Sequence, residues 1–133
     1  MKKIIKSSSE WKKALTDAEY KVMREKGTEA PFSGDLYYND EKGIYVCKCC
    51  DNQLFKSSAK FDSGTGWPSF FEIISDDAIK VIKDLSHSMI RFEVLCAKCE
   101  AHLGHVFDDG PRPTGKRYCI NSVSLQFKKG INE

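Results

Sequence analysis

The sequence predicts a mainly β domain of the α+β class that begins with short helices. After Gly27 the chain consists of short segments in which apolar and polar residues alternate, separated by Gly, Pro, Asn and Asp. This pattern is typical of β-strands joined by turns. A length of 133 residues is close to the commonest domain size, so we expect a single domain spanning residues 1–133. Apolar residues make up 41% of the chain, which is enough for a core and argues against intrinsic disorder.

The first 27 residues contain two helix-start signals. Ser7 with Glu10, and Thr16 with Glu19, have the spacing in which a side-chain pair satisfies the free amides at a helix start. One continuous helix would also give an apolar stripe, formed by Trp11, Ala14, Leu15, Ala18 and Val22. Because a cap at Thr16 interrupts that helix, we predict two short helices, the second ending near Gly27 and both covering one edge of the domain.

Four segments are the strand candidates: residues 43–46, 70–74, 90–94 and 123–127. The last two alternate apolar with charged or polar residues, as antiparallel strands with one buried face do. Residues 75–88 fit either a strand or a helix face. Residues 64–68 and 109–115, rich in Gly and Pro, are predicted to be ordered loops, where functional groups are common.

Charge and apolar patterning exclude several classes of protein. Lys and Arg number 21 against 19 Asp and Glu, a formal net charge of +2 that is too small to indicate nucleic-acid or membrane binding. The N-terminal segment turns polar where a signal peptide needs an apolar stretch, and the apolar runs are too short for a membrane span. We therefore expect a cytoplasmic protein in a reducing compartment, where stable disulfides are uncommon.

Four of the six cysteines form two Cys-x-x-Cys pairs, Cys47 with Cys50 and Cys96 with Cys99. Four thiolates at this spacing form a tetrahedral zinc site, and a site closed by four protein ligands has a structural role. The sequence therefore predicts one structural Zn²⁺. The alternatives are two redox motifs or cysteines packed in the core.

The other two cysteines, Cys49 and Cys119, stand apart from these pairs. Cys49 lies between two predicted ligands, where a packed thiol is the simplest interpretation. Cys119 stands alone at the start of a predicted strand, and His102 and His105 are close together in the sequence. A lone Cys with His elsewhere is a weak signal for a nucleophile, so a buried strand cysteine remains the alternative.

More specific motifs occupy residues 27–29 (GTE), 61–70 (FDSGTGWPSF), 102–111 (HLGHVFDDGP) and 117–122 (RYCINS). Together and in this order they resemble the B family of methionine sulfoxide reductases, over about residues 15–127. The resemblance implies two antiparallel sheets in a barrel-like or tent-like arrangement with short N-terminal helices. It also implies a thiol-dependent enzyme that reduces the R epimer of methionine S-oxide, mainly in peptides and proteins, to repair oxidative damage.

The resemblance also implies roles for individual residues. Cys119 is the nucleophile and becomes a sulfenic acid, while His102 and His105 stabilise or protonate the sulfoxide oxygen. The residues that orient this network or favour the thiolate are Asp109, Asn121 and Arg117. Trp67 and, less directly, Phe107 form an apolar pocket for the methyl group of the substrate. The family's zinc ligands correspond to the four paired cysteines.

One residue departs from the common family pattern. Many members have a second, resolving cysteine where this chain has Thr65, and Thr cannot form a disulfide with Cys119. We expect thioredoxin or another thiol to reduce the sulfenic acid directly, with resolution by Cys49 as the alternative. The other expected partners are oxidised proteins or peptides, and we expect a monomer.

Two other classes of function are compatible with the same cysteines. One is a zinc-stabilised module that binds nucleic acid or peptides, but no aromatic and basic stripe supports it in the sequence. A thiol redox sensor would share Cys119, but it would be oxidised stoichiometrically without turnover.

Overall fold

The computed structural model describes residues 3–130, and the side chain of His87 lies outside this description. The two α-helices are α1 (Ser8–Ala14) and α2 (Asp17–Met23). Nine strands follow: β1 (Gly43–Cys47), β2 (Gln53–Lys56), β3 (Lys60–Phe61), β4 (Ser69–Phe70), β5 (Ile79–Asp84), β6 (Arg91–Cys96), β7 (His102–Phe107), β8 (Arg117–Ile120) and β9 (Leu125–Lys129). Neither of the two described helices, at seven residues each, is long and apolar enough to cross a membrane.

The strands form two antiparallel sheets, which confirms the predicted fold class. One sheet has the order β2-β1-β9 and the other the order β3-β4-β8-β7-β6-β5. The six-stranded sheet is open, with β3 and β5 at its edges, so within residues 3–130 the strands do not close into a barrel.

Both predicted helix starts are confirmed. Ser7 and Thr16 each accept a hydrogen bond from the backbone amide three residues later, and Glu10 and Glu19 bind back to the cap amides. The second helix ends at Met23, slightly before the expected position. The chain then turns through Lys26, at φ 59°, and the amide of Gly27 donates to the carbonyl oxygen of Lys21 at 2.9 Å.

Two strand predictions were wrong in part. The strand predicted over residues 70–74 is only Ser69–Phe70, because the amide of Phe71 donates to Ala59 and that of Ile74 to Leu54, which takes the chain away from β8. In the segment 123–127, the first residues form a 3₁₀ turn, Ser122–Ser124, before β9 begins. The ambiguous segment 75–88 contains strand β5.

The aromatic core joins the two sheets behind the functional site. Phe55 of β2 stacks on Phe70 of β4 with ring centroids 4.2 Å apart, and Tyr45 of β1 meets Phe70 edge-on at 5.0 Å. Tyr118 of β8 packs against Phe55. Because side chains alternate along a strand, Cys119 projects from the opposite face of β8, away from this core.

Candidate active site and metal centre

The register of the six-stranded sheet aligns the candidate nucleophile with a histidine and a carboxylate. Cys119 of β8 lies directly opposite His105 of β7, and His105 lies opposite Glu93 of β6. Directly opposed residues of antiparallel strands project to the same face of a sheet. The next row on this face pairs Arg117 with Phe107, and Asp84 with Arg91.

A cavity of about 120 Å³ opens beside this face. Its lining residues are Thr28, Trp67, Arg91, Gly104, His105, Phe107, Cys119 and Asn121. A Cβ atom on Gly104 would lie 2.0 Å from the carbonyl oxygen of Cys119, so glycine is required for β7 and β8 to approach this closely. The structure therefore brings together five predicted site residues, Trp67, His105, Phe107, Cys119 and Asn121. The other three, His102, Arg117 and Asp109, lie outside the lining.

The half-buried thiol of Cys119 has a raised pKa, and burial is the main cause because it disfavours the charged thiolate. Two groups act in the opposite direction: the positive charge of Arg117 and a hydrogen bond with the hydroxyl of Thr65 both lower the pKa of this thiol. The residue at the usual resolving position thus lies close enough to the candidate nucleophile to lower its pKa.

His105 is held by a charged pair at the cavity. Its Nε2 donates to Oδ2 of Asp84 at 2.8 Å, and an Nη2 hydrogen of Arg91 contacts the same oxygen at 3.3 Å. The backbone amide of Ser86 donates to the other carboxylate oxygen, at 2.9 Å. Hydrogen bonds from Ser86, then from His105, hold the pKa of Asp84 well below its usual range, so Asp84 is a carboxylate that orients the ring.

His102 lies behind His105 and is almost completely buried. Its Nδ1 donates to Oε2 of Glu93 at 2.7 Å, and Nζ of Lys26 donates to Oε1 of the same carboxylate at 3.2 Å. Burial lowers the pKa of His102, although Glu93 partly offsets this effect. The two imidazole rings meet edge-on with centroids 5.5 Å apart, so His102 supports His105 rather than facing the cavity.

The backbone of Glu29 connects two walls of the cavity. Its carbonyl oxygen accepts a hydrogen bond from Nε1 of Trp67 at 3.0 Å, and its amide donates to Oδ1 of Asn121 at 3.0 Å. The Glu29 side chain is only 9% exposed and accepts from the amide of Val123 at 2.9 Å. Asn121 also donates to the carbonyl of Leu103, at 3.1 Å, so both of its polar atoms are used in fixing the wall.

Arg117 and Asp109 form a two-point ion pair at the edge of the cavity. Nε and Nη2 of Arg117 donate to the two carboxylate oxygens at 2.8 and 3.1 Å. The guanidinium lies over the ring of Phe107, 4.4 Å from its centroid. Asp109 is itself exposed, so its contact with the site is through Arg117. This pairing fixes the cation that acts on Cys119.

The two Cys-x-x-Cys segments form matching turns. The amide of Asp51 donates to the carbonyl of Cys47, and the amide of Glu100 to that of Cys96, both at 2.8 Å. Asp51 and Glu100 have left-handed backbones, with φ values of 62° and 61°. The same local geometry thus presents two thiols from each turn.

Four sulfur atoms converge between these turns. The Sγ atoms of Cys47, Cys50, Cys96 and Cys99 all lie within 4.8 Å of one another. The distance from Cys47 to Cys99 is 3.7 Å and that from Cys50 to Cys96 is 3.6 Å. Sulfur atoms at about 2.3 Å from a tetrahedral zinc ion would be about 3.8 Å apart, so the cluster has the dimensions to hold a metal ion.

The remaining cysteine, Cys49, lies beside this cluster but is not one of the four. Its Sγ contacts Sδ of Met23 at 3.6 Å, and the side chain is half-buried against the core.

Several residues of the site have no obvious signal in the sequence. Asp84 of β5 and Arg91 and Glu93 of β6 lie outside the motifs, and only the strand register places them beside Cys119 and the histidines. Thr28 falls within the GTE motif and lines the cavity, which the motif alone does not indicate. Glu29 falls within the GTE motif, but the motif does not indicate that its backbone links Trp67 to Asn121.

Comparison with known proteins gives a consistent result. Residues 15–129 match the model of the SelR domain. Over 127 residues, 96% of this chain, the sequence is 61% identical to a protein of Methanosarcina barkeri named "Peptide methionine sulfoxide reductase MsrB", covering 89% of that protein. A protein of the same name from Methanosarcina mazei is also 61% identical over 96% of this chain, covering 91% of its own length. The protein of that name from Hahella chejuensis is 57% identical, with coverage of 96% and 91%.

Proposed function

The chain belongs to the SelR-domain family of methionine sulfoxide reductases and is an oxidoreductase, and from this premise we propose that it reduces methionine R-sulfoxide in peptides and proteins. The observation that carries the proposal is the cavity in which Cys119, His105 and Trp67 meet within the matched region. A role in repair of oxidised proteins follows from this activity. We also propose that residues 1–133 form a single domain.

Cys119 is the group that accepts oxygen in the proposed reaction. Its thiolate attacks the sulfoxide sulfur and forms a transient sulfur–sulfur bond while the oxygen takes up a proton. The oxygen then transfers to the Cys119 sulfur, and both the sulfur–oxygen bond of the substrate and the transient sulfur–sulfur bond break. The substrate sulfur is reduced by two electrons and becomes methionine, and the Cys119 sulfur is oxidised by two electrons to a sulfenic acid. The balance needs no other oxidant or reductant in this step.

His105 is the proposed proton donor to the sulfoxide oxygen, since its ring lines the cavity. Asp84 holds the ring through Nε2, and His102 supports it from behind. Trp67 and Phe107 form the apolar wall for the methyl group. Asn121 keeps the opposite wall in place through Glu29. Methyl-sized mismatches in such a pocket cost about 1–3 kcal/mol, so selection of one epimer needs the wall and the oxygen donor together.

Arg117 is proposed to keep part of Cys119 ionised near neutral pH, with Asp109 orienting it. We expect Arg117→Gln to raise the pKa of Cys119 further, because the mutation removes a positive charge that lowers it. The pH profile for alkylation of Cys119 by iodoacetamide should then move to higher pH, and the rate at pH 7 should fall severalfold, as read by mass spectrometry of the Cys119 peptide.

Arg112→Gln is the matched control. Arg112 is an exposed arginine in the loop between β7 and β8, and it is not one of the groups that shift the pKa of Cys119. Its alkylation profile should match that of the native protein. A profile for Arg117→Gln that is unchanged, or that moves to lower pH, would contradict this role for Arg117.

Regeneration of Cys119 is proposed to use an external thiol, such as thioredoxin or a small dithiol. The first thiol displaces water from the sulfenic acid to give a mixed disulfide, and a second thiol releases Cys119. Thr65 cannot supply the first thiol. A disulfide between Cys49 and Cys119 would need their Cα atoms within about 7 Å of each other. Cys49 lies in the sequence between the cluster residues Cys47 and Cys50, and its sulfur contacts Met23, so it is held at the metal cluster.

The experiment that tests the proposed function follows the first turnover without a reductant. We expect the native protein to convert up to one equivalent of peptide methionine R-sulfoxide to methionine, and Cys119 to carry a sulfenic acid trapped by dimedone. Thr65→Cys is the matched variant: it should yield a disulfide between residues 65 and 119 in place of the trapped acid. No methionine formed would refute the proposed function, while a Cys49–Cys119 linked peptide would refute only the direct route of regeneration.

The four-thiol cluster is proposed to hold one structural Zn²⁺. Cys47, Cys50, Cys96 and Cys99 form a closed donor set of four sulfurs, the type that zinc prefers in structural sites. The ion would fasten the end of β1 to the turn after β6, and therefore the three-stranded sheet to the six-stranded sheet that carries the cavity.

A further inference from the structure

Exposed large apolar side chains concentrate on one hairpin of the protein. Among the described residues, five of the eight such side chains belong to β5, β6 and the turn between them: Val81, Leu85, Met89, Ile90 and Phe92. Clusters of exposed apolar side chains on a soluble protein mark sites of interaction with a partner.

The turn of this hairpin, residues 85–90, is here called the hairpin tip. Its two ends are Asp84 and Arg91, which are paired across β5 and β6. Asp84 holds His105, and Arg91 lines the cavity, so the hairpin tip leaves the sheet beside the candidate active site. The amide of Met89 donates to the carbonyl of Ser86 at 3.2 Å, which closes the turn.

Three side chains of the hairpin tip project into solvent. Leu85 is 64% exposed, Met89 is 51% exposed and Ile90 is 67% exposed. The other loop at this end of the sheet joins β7 to β8 and has a different chemical character. It carries the exposed charged residues Asp108, Arg112 and Lys116, with Asp108 and Lys116 paired to each other. The surface beside the cavity is therefore apolar at the hairpin tip and charged at the opposite loop. Val81 and Phe92 alternate with residues of the cavity face and so project from the other face of the sheet.

The cavity itself is small. Its volume of about 120 Å³ is below that of a cavity of roughly 150 Å³ that holds one benzene molecule, so it accommodates about one side chain. The residues on either side of an oxidised methionine in a polypeptide must then lie on the rim. Because methionine is usually buried, and its oxidation disrupts cores, the segments that become accessible on oxidation are rich in apolar residues.

We propose that the hairpin tip binds the apolar residues next to methionine sulfoxide in an unfolded segment of a protein substrate. The inference rests on the proposed function and adds a preference for apolar flanking sequence. Its support is the position of the exposed side chains of Leu85, Met89 and Ile90. They lie in the turn between Asp84, which holds His105, and Arg91, which lines the cavity.

The test compares three substrates of the native protein and of the double variant Leu85→Ser, Ile90→Ser. The substrates are N-acetyl-methionine R-sulfoxide, a peptide with Leu and Val around the sulfoxide, and the same peptide with Ser and Gly there. In the double variant, kcat/KM on the apolar peptide should fall about five- to tenfold through a higher KM. The reason is that the contacts of two apolar side chains with the peptide are lost. Its kcat/KM on the other two substrates should stay within about twofold.

Met89→Ser should give a smaller loss of the same kind, and Ile5→Ser is the matched control. Ile5 is 90% exposed, and the amide of its neighbour Ile4 donates to the carbonyl of Lys98 in the turn after β6, at the end of that strand away from the hairpin tip. It should leave all three substrates unaffected.

Three outcomes would overturn the inference. Equal losses on all three substrates would mean that the hairpin tip acts only through Asp84 and Arg91. Unchanged kinetics on the apolar peptide would mean that it does not bind substrate. A dimer seen by light scattering for the native protein but not for the double variant, without a KM difference between peptides, would assign the hairpin tip to self-association. A native protein that reduces none of the substrates refutes the proposed function instead.

Discussion

Replacing Cys119 by Ser should abolish sulfoxide reduction, with a fall in kcat of at least about 10³-fold. The reaction requires a sulfur atom that accepts oxygen, and a serine hydroxyl cannot be oxidised in this way. The mutation should leave the fold intact, because Cys119 is half-buried and is not among the four cysteines of the metal cluster. Steady-state reduction of a peptide methionine R-sulfoxide with dithiothreitol measures the effect.

The control for this variant is Cys49→Ser, which removes the other cysteine outside the cluster. It should retain turnover, and the circular dichroism and metal content of Cys119→Ser should equal those of the native protein. Turnover by Cys119→Ser within about twofold of native would assign the chemistry to another residue. Loss of turnover in Cys49→Ser, with the fold intact, would make Cys49 the resolving cysteine.

Replacing Cys96 by Ser should release the metal and lower the melting temperature by at least about 10 °C. Structural zinc in small peptides contributes about 10–16 kcal/mol of apparent binding free energy, which is comparable to the 5–15 kcal/mol of stability of a whole domain. Even partial loss of that free energy is several kcal/mol, and each kcal/mol corresponds to several degrees in a domain of this size. Elemental analysis and thermal unfolding measure the two effects.

Cys49→Ser is again the matched control, since it removes a thiol from the same turn as two ligands without removing a ligand. It should keep one metal ion per chain and a melting temperature close to native. Treatment of the native protein with a strong chelator should reproduce the destabilisation of Cys96→Ser. Unchanged metal content and melting temperature in Cys96→Ser would contradict a structural ion at this cluster.

The local features of the fold were predictable because short-range chemistry determines them. The capping boxes at Ser7 and Thr16 need only residues three apart, and both are confirmed. The two Cys-x-x-Cys turns are likewise local, although their meeting depends on the sheets. The segment 70–74 was predicted wrongly because its apolar residues suit a strand, whereas backbone bonds to Ala59 and Leu54 direct it elsewhere.

The candidate site was predictable only where a motif contains the residue itself. Asp84 lies in the segment whose secondary structure was ambiguous, and Arg91 lies in a predicted strand whose partner was unknown. A shift of one residue in the register of β5 and β6 would place them on the other face of the sheet. His102 and His105 looked equivalent in the sequence. Regular alternation would place residues three apart on opposite faces of β7, but the bulge between β6 and β7 brings His102 to Glu93, where it is buried, while His105 stays at the cavity.

Cys119 and the surrounding cavity are proposed to reduce one epimer of methionine sulfoxide. The most direct test of this proposal is epimer-resolved turnover of a peptide containing both methionine sulfoxide epimers, with dithiothreitol as the reductant and chiral chromatography of the products. We expect repeated turnover that consumes the R epimer and leaves the S epimer. Consumption of the S epimer alone, or oxidation of Cys119 in a single event without further turnover, would contradict it.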